Sequence, residues 1–403
     1  MKEKETKRRK KIIEHPVLLF GVFVVSCLIG FLGWTFFKLN TSRPETVAHS
    51  PEPAEPPMPL PETATSRILF AGTVFWSRDI HTAAQNSGNP YEFPFERLAE
   101  LNRENYEAWI GNLECPVTEN DKTAYEEASL LEFNCRPEYL PAASKYFTAF
   151  SLGTNHVDNW GEEGIVSTKN NLATNNIQYF GHYRYDNSEE NCNIIIVPIK
   201  IALDNGETTE SKMPLGFCSA HGVFGIPTET AKENIANYAK YVPTIVMPHM
   251  GAEYEPSADT LRENLFRDMI DRGAEMVIAD HPHWIQNSES YNGKLIVYSM
   301  GNFLFDQQTS ETNRGVAIDV TAIFDKNTDF GAWNEISEIC LEKSGNCLED
   351  IKSSGLEKYS ISWTNYDAIG VKDDGFQTHL ADESEQAAIK TRLNWQTTLS
   401  NLK

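Results

Sequence analysis

Basic residues are scarce in this chain: 35 Lys and Arg stand against 57 Asp and Glu, for a formal net charge of -22. Nucleic-acid binding rests on neutralising phosphates, so an acidic balance of this size argues against that partner class. No CxxC pair occurs, which argues against a structural zinc knot. Histidine is sparse too, at ten in 403 residues, so any grouping of imidazoles carries weight. One long run lacks charge altogether: Val17 to Phe37, VLLFGVFVVSCLIGFLGWTFF.

Such a run, at about 1.5 Å rise per residue, covers the roughly 30 Å hydrocarbon core of a bilayer. A cleaved signal peptide would have a shorter apolar region, about 7–15 residues, ending at a small-residue cleavage site that is missing here. Lys2, Lys4, Lys7, Arg8, Arg9, Lys10 and Lys11 precede the run, and a basic flank stays in the cytoplasm. The reading is a basic cytoplasmic tail (1–16), a single-pass transmembrane anchor (17–38), and everything beyond it extracytoplasmic. Residues 39–66 are rich in Pro and Glu and read as a semi-stiff tether without a core. The folded part is expected at 67–325, followed by a polar extension, 326–403.

Cysteine usage agrees with export. Cys27 falls in the apolar run, and Cys115, Cys135, Cys192, Cys218, Cys340 and Cys347 lie beyond it. An oxidising compartment favours disulfides. Sequence order suggests Cys115–Cys135, Cys192–Cys218 and Cys340–Cys347, with Cys340 and Cys347 flanking a hairpin or loop; free buried thiols are the alternative.

Short apolar runs recur along 67–325, most of them stopping at polar residues. Arg67–Gly72 ends at Thr73, Tyr106–Gly111 at Asn112-Leu113-Glu114, and Tyr146–Gly153 at Thr154-Asn155-His156. A helix over about 162–174 and an extended run over 177–180 follow. Ile194–Pro198, Pro214–Cys218 and Val316–Phe324 read as further strands. Ile245–Met247 leads to His249, Gly251 and Glu253. Then comes a helix with Ser257 as N-cap, with Leu261, Leu265, Phe266, Met269 and Ile270 on one face and Gly273 closing it. Met276–Ala279 delivers His281-Pro282-His283, and Leu295–Tyr298 delivers Ser299 to Asn302. Strand, helix, strand makes a βαβ unit, whose ligands gather beyond the carboxyl ends of the strands. His281 and His283, two apart, would point to one side if extended. Three imidazoles and a carboxylate suit a divalent cation such as Zn, Fe or Mn.

The set Asn112-Glu114, Asn155-His156, His249 with Glu253, His281-Pro282-His283 and Gly301-Asn302-Phe303, carried in NHVDNWGEEG, HMGAEYEP, HPHWIQ and YSMGNFLFDQ, closely resembles the CapA family of poly-gamma-glutamate capsule synthesis proteins. That family is related to the calcineurin-like metallophosphoesterases. The resemblance covers roughly 68–324. It implies an α/β fold, a metallophosphoesterase-like α/β/β/α sandwich, here preceded by one transmembrane helix. It also implies one or two divalent metal ions (Mn, Fe or Zn), with Glu114, Asn155, His249, His281 and His283 as ligands and His156 as general acid or transition-state donor. Asn112, Glu253, Thr73 and Asn302 complete the site.

Four departures stand out: Thr73 where the family has Asp, Thr154 for Asn, Asn159 for Asp beside Asp158, and Ala279 for Gly before Asp280. Asp79 is too far along to replace the missing carboxylate. The departures fall on the first metal position and leave the histidine-built one intact. Three functions therefore stay open. The chain could be a membrane-anchored metal-dependent hydrolase in synthesis or export of an anionic capsule polymer. It could be a non-catalytic component that binds the polymer or its synthase subunits. It could also be an exported scaffold with structural histidines.

Overall fold

The run Arg67–Gly72 forms the middle of a fourteen-residue strand, β1 (Pro61–Val74), from which the sheet branches. The computed structural model describes residues 59–119, 122–343 and 346–403; the basic tail 1–16 and the anchor 17–38 lie outside the described residues. Among the described residues, no helix is long and apolar enough to cross a membrane. Strand β1 starts six residues before the expected boundary at 67, so the end of the expected tether 39–66 is sheet.

Further strands are β2 (Ala108–Leu113), β3 (Ala149–Ser151), β4 (Gln178–Phe180), β5 (Cys192–Leu203), β6 (Thr208–His221) and β7 (Thr244–His249). They continue as β8 (Met276–Ile278), β9 (Ser288–Tyr291), β10 (Lys294–Val297), β11 (Asn302–Leu304), β12 (Arg314–Phe324), β13 (Ile361–Asp373) and β14 (Thr378–Leu380). One branch runs β2-β3-β4, parallel, from the carboxyl half of β1. The other leaves its amino half in the order β5-β6-β7-β8-β10-β9. On its other edge β1 carries β12, then β13 and β14.

Period-two alternation explains the layering. Ile68, Phe70, Ala108 and Ile110 enter one apolar cluster with the residues of β5 to β10. Leu69, Ala71, Trp109 and Leu113 enter a second with Trp76, Phe95 and Phe150. Strands β2 and β3 are thus buried on both faces, and helices pack on the second branch. In helix Thr260–Asp271, Leu265, Phe266, Met269 and Ile270 are buried as expected. Its N-cap is Asp259, not Ser257, because the Asp259 carboxylate accepts from Arg262 N–H; Leu261 is exposed. Gly273 sits at φ 106 just past the end.

The 326–403 segment is part of the same compact unit, Pro59–Lys403. Of the hairpin or loop expected between Cys340 and Cys347, the described residues show Cys340 to Lys343 as helix and Asn346-Cys347 as a short non-helical stretch. Phe330, Trp333, Ile336, Ser337 and Cys340 recur at helical spacing and are buried on helix Phe330–Lys343, and Cys347 caps helix Leu348–Ser354. The segment 381–402 forms two helices, Glu383–Arg392 and Trp395–Asn401, broken at Asn394 (φ 56).

All three disulfides pair in sequence order: Cys115–Cys135, Cys192–Cys218 and Cys340–Cys347. Cys192 and Cys218 face each other directly across β5 and β6. Loop-closure entropy predicts that opening Cys192–Cys218, with a separation of 26, costs about 3.5 kcal/mol. Opening Cys340–Cys347, with a separation of 7, costs about 2.4 kcal/mol. Urea unfolding of the paired Cys→Ala variants should keep that order. Denatured, unreduced protein should expose a single reactive thiol; six or seven would refute the pairing.

Candidate functional site

Polar residues collect where parallel strands end. In register, Thr73 lies beside Asn112 and Asn302, and Asn112 beside Ser151. On the second branch His221 lies beside His249, and His249 bridges to Asp280. The carboxyl ends of a parallel sheet leave a crevice, and Glu114, Asn155, His281 and His283 follow directly on those ends. Glu114, Asn112, Thr73, Asn155, His249, His281, His283 and Asn302 are all buried.

Hydrogen bonds fix the tautomers of three imidazoles. His249 Nδ1–H donates to Asp280 Oδ1 at 2.8 Å. His283 Nδ1–H donates to Asn302 Oδ1 at 2.7 Å; the Asn302 amide is oriented because its Nδ2 donates to Thr312 O and Gln307 Oε1. His221 Nδ1–H donates to the Tyr183 carbonyl. Burial drives all three pKa values down, to about 4 for His221 and His283, so each imidazole is neutral with its lone pair on Nε2. Nε2 of His249 stands 3.9 Å from Glu114 Oε2, and Nε2 of His283 stands 3.9 Å from Glu114 Oε1. His249 Nε2 also faces Asn155 Oδ1 at 2.7 Å, acceptor against acceptor unless the amide turns its Nδ2 inward. Glu114 Oε2, His221 Nε2 and His281 Nδ1 are buried without a hydrogen-bond partner.

Thr73 brings a hydroxyl and no carboxylate to the crevice: it donates to Asp280 Oδ2 at 2.8 Å and also lies against Glu114. Thr73, Asp280, His249 and Asn155 thus form one chain of contacts. Burial raises the Asp280 pKa to about 7 and pushes Glu114 well above the usual carboxylate range. Asp79 is exposed on helix Arg78–Gln85, away from the Thr73 position. Glu253 is exposed as well, at the rim. His156 lies against Phe133, ring centroids 4.0 Å apart, and its Nδ1–H donates to Asn159 Oδ1 at 3.1 Å. Burial lowers its pKa to about 4, so near neutrality it accepts a proton at Nε2 before it can donate one.

His281-Pro282-His283 is not extended. His281 has φ 99 and His283 φ 58, a region that costs a non-glycine residue about 1–3 kcal/mol. The turn is held by Tyr254 N–H to Pro282 O and by Asp280 N–H to Pro248 O. It places the two rings 6.1 Å apart and brings His281 to 4.8 Å from His249.

Two of the buried residues here were not singled out by their sequence pattern. Asp280 reads as a spacer before His281, yet it anchors His249. His221 ends a long strand, and its Ala-His-Gly context gives no metal-ligand spacing; only its position beside His249 in register reveals it. Among the described residues, no three His, Cys, Asp or Glu side chains converge closely enough to hold a metal ion as placed.

The architecture is a mixed α/β fold with a buried histidine and carboxylate cluster at parallel strand ends. Residues 67–307 match the family described as bacterial capsule synthesis protein PGA_cap, and the chain belongs to that family. It is 26% identical over 265 residues to the capsule biosynthesis protein CapA of Bacillus anthracis, spanning 61% of each chain. It is 28% identical over 257 residues to the PGA biosynthesis protein CapA of Bacillus subtilis (strain 168), spanning 60% of this chain and 64% of that one. The match therefore covers less than two thirds of either relative. A hypothetical protein from Thermus thermophilus aligns over 64% of this chain and 93% of its own at 16% identity, with a TM-score of 0.33, too low to carry an argument.

Proposed function

We propose that this protein is a membrane-anchored, extracytoplasmic component of capsule polymer synthesis or export, with a divalent-metal site at the strand ends. The fold reading behind it is a metallophosphoesterase-like α/β/β/α sandwich, which the branch at β1 and the two apolar clusters support. The observation that carries the metal reading is the common tautomer of His249, His283 and His221. A metal-binding imidazole donates its other N–H to a carboxylate, amide or carbonyl, leaving a lone pair for the ion. Ligands about 2.0–2.2 Å from one ion can lie no more than about 4.4 Å apart, and the 3.9 Å gaps from Glu114 to His249 and His283 satisfy that. A cation between His249 Nε2 and Asn155 Oδ1 would satisfy both lone pairs.

In this reading Glu114, Asn155, His249, His281 and His283 supply the ligands, with His221 alongside. Asp280 and Asn302 orient imidazoles, and Asn112 lines the floor. A bound divalent ion would polarise an ester or amide oxygen and activate water. His156 would move the proton, its ring set by Asn159 and Phe133. The polymer is anionic, in keeping with the resemblance to poly-gamma-glutamate capsule synthesis proteins. A second reading, a polymer-binding or scaffold component of the synthase complex without catalysis, is favoured by one observation: Thr73 gives no carboxylate to a second ion, and its hydroxyl donates to Asp280 instead.

Elemental analysis of the dialysed full chain, with turnover of a chromogenic phosphodiester, separates the two. One bound ion with turnover in the parent supports the catalytic reading, and one bound ion without turnover supports the second. The Thr73→Asp variant should recruit a second ion, with turnover appearing. A parent holding two ions and turning over briskly would show that Thr73 is no defect, and a parent binding no ion would end the metal reading. For the anchor, protease added to intact spheroplasts should remove the domain beyond residue 38; full protection would refute that topology.

A further inference from the structure

Arg78 belongs to no part of the cluster described so far, yet it is built into the cluster's wall. It follows β1 at φ 45, a left-handed conformation for a residue with a side chain. Buried Glu127 holds that turn by accepting from Ser77 Oγ–H and from Arg78 N–H at 3.1 Å. The guanidinium carbon lies 4.2 Å from the Phe133 ring centre, 4.8 Å from Phe75 and 5.4 Å from Phe305. Two of those rings also touch site histidines: Phe133 lies 4.0 Å from His156, and Phe305 lies 5.0 Å from His283. Arg78 is therefore one ring away from each. Its Nε and Nη2 donate to Asp306, while Nη1 makes no hydrogen bond among the described residues.

A structural staple between β1 and Asp306 would need neither the left-handed turn nor the aromatic cage. A planar fork, stripped of rotational freedom by three rings and with one edge left over, suits recognition of an oxyanion. Its charge is also felt at Glu114, His156 and His283. In a chain of net charge -22, an anionic substrate needs such a fixed cation at the site.

We infer that Arg78 receives an anionic group of the substrate, a phosphate or a carboxylate, beside the histidine cluster. The inference rests on the reading of that cluster as a substrate site. The test is calorimetric titration of the full chain with inorganic phosphate and, separately, glutarate, with Mn2+ present and after its removal. The parent should bind one of them, and which one identifies the anion class. Arg78→Lys keeps a cation for Asp306 but loses the fork, and binding should weaken ten-fold or more with the metal content unchanged. Arg78→Met combined with Asp306→Asn removes both charges of the buried pair and should lose binding altogether. Folded variants that bind as the parent does, or a parent that binds neither anion, would overturn the inference. Metal analysis of the same samples separates the two readings: Arg78-dependent anion binding by a protein that takes up no metal would leave this inference standing and end the metal one.

Discussion

Replacing His249 by alanine is expected to cut divalent-metal binding by the full chain at least about a hundred-fold. Losing only the partner that orients a ligand typically costs about 10–100-fold, so losing the ligand itself costs more. His249 is the joint of the cluster: Asp280 holds one nitrogen, while Asn155 and Glu114 face the other. Its removal also leaves the buried Asp280 carboxyl with Thr73 as its one remaining hydrogen-bond donor of good geometry, which should lower stability. Asp280→Asn, which keeps an oxygen for Nδ1–H, should fall between the parent and His249→Ala. Isothermal titration with Mn2+ or Zn2+, alongside a urea melt to establish folding, reads all three. Unchanged binding in folded His249→Ala would place any metal site elsewhere.

Gly72→Ala is expected to lower stability sharply through a single added methyl at the end of β1. A Cβ built at Gly72 would stand 2.2 Å from the Gly301 carbonyl oxygen and 3.2 Å from Met300 Cβ. The first of these is backbone and cannot swing aside. Overpacking ordinarily costs about 1–3 kcal/mol and more where backbone must move; here at least about 3 kcal/mol is expected. Because Thr73 N–H donates to that same carbonyl, spreading β1 from β11 would shift Thr73 and Asn302 together. Asn302 orients His283, so metal affinity should fall as well. A urea midpoint within error of the parent would show that the strands have room to part.

Strand positions were legible from the sequence because β1, β2 and β12 are buried on one or both faces, and the apolar runs of β1 and β2 stop where the chain turns into the crevice. The disulfide order was legible for a similar reason: Cys192 and Cys218 belong to consecutive strands, and consecutive strands tend to pair. Most of the expected site residues are gathered in the crevice, while Glu253 stays at its exposed rim, because the carboxyl ends of neighbouring parallel strands share one edge. Sequence reading failed where backbone conformation or distant partners decide. His281 and His283 look extended, yet left-handed turns aim their rings, and no residue pattern marks a non-glycine residue at φ 99. Cys340, expected at the edge of a hairpin or loop, lies within a helix, since five residues at helical spacing bury themselves on β5 and β6, a surface drawn from far upstream.

The sequence by itself determined the acidic character, the strand ends, the histidine cluster and the family, all of which are local or compositional. Tertiary structure alone decided what Thr73, Asp280, His221 and Arg78 do. Thr73 meets Asp280 across 207 positions and Arg78 meets Asp306 across 228. Hydrogen bonds and ion pairs of that span depend on how strands stack in register, which no stretch of the chain encodes alone.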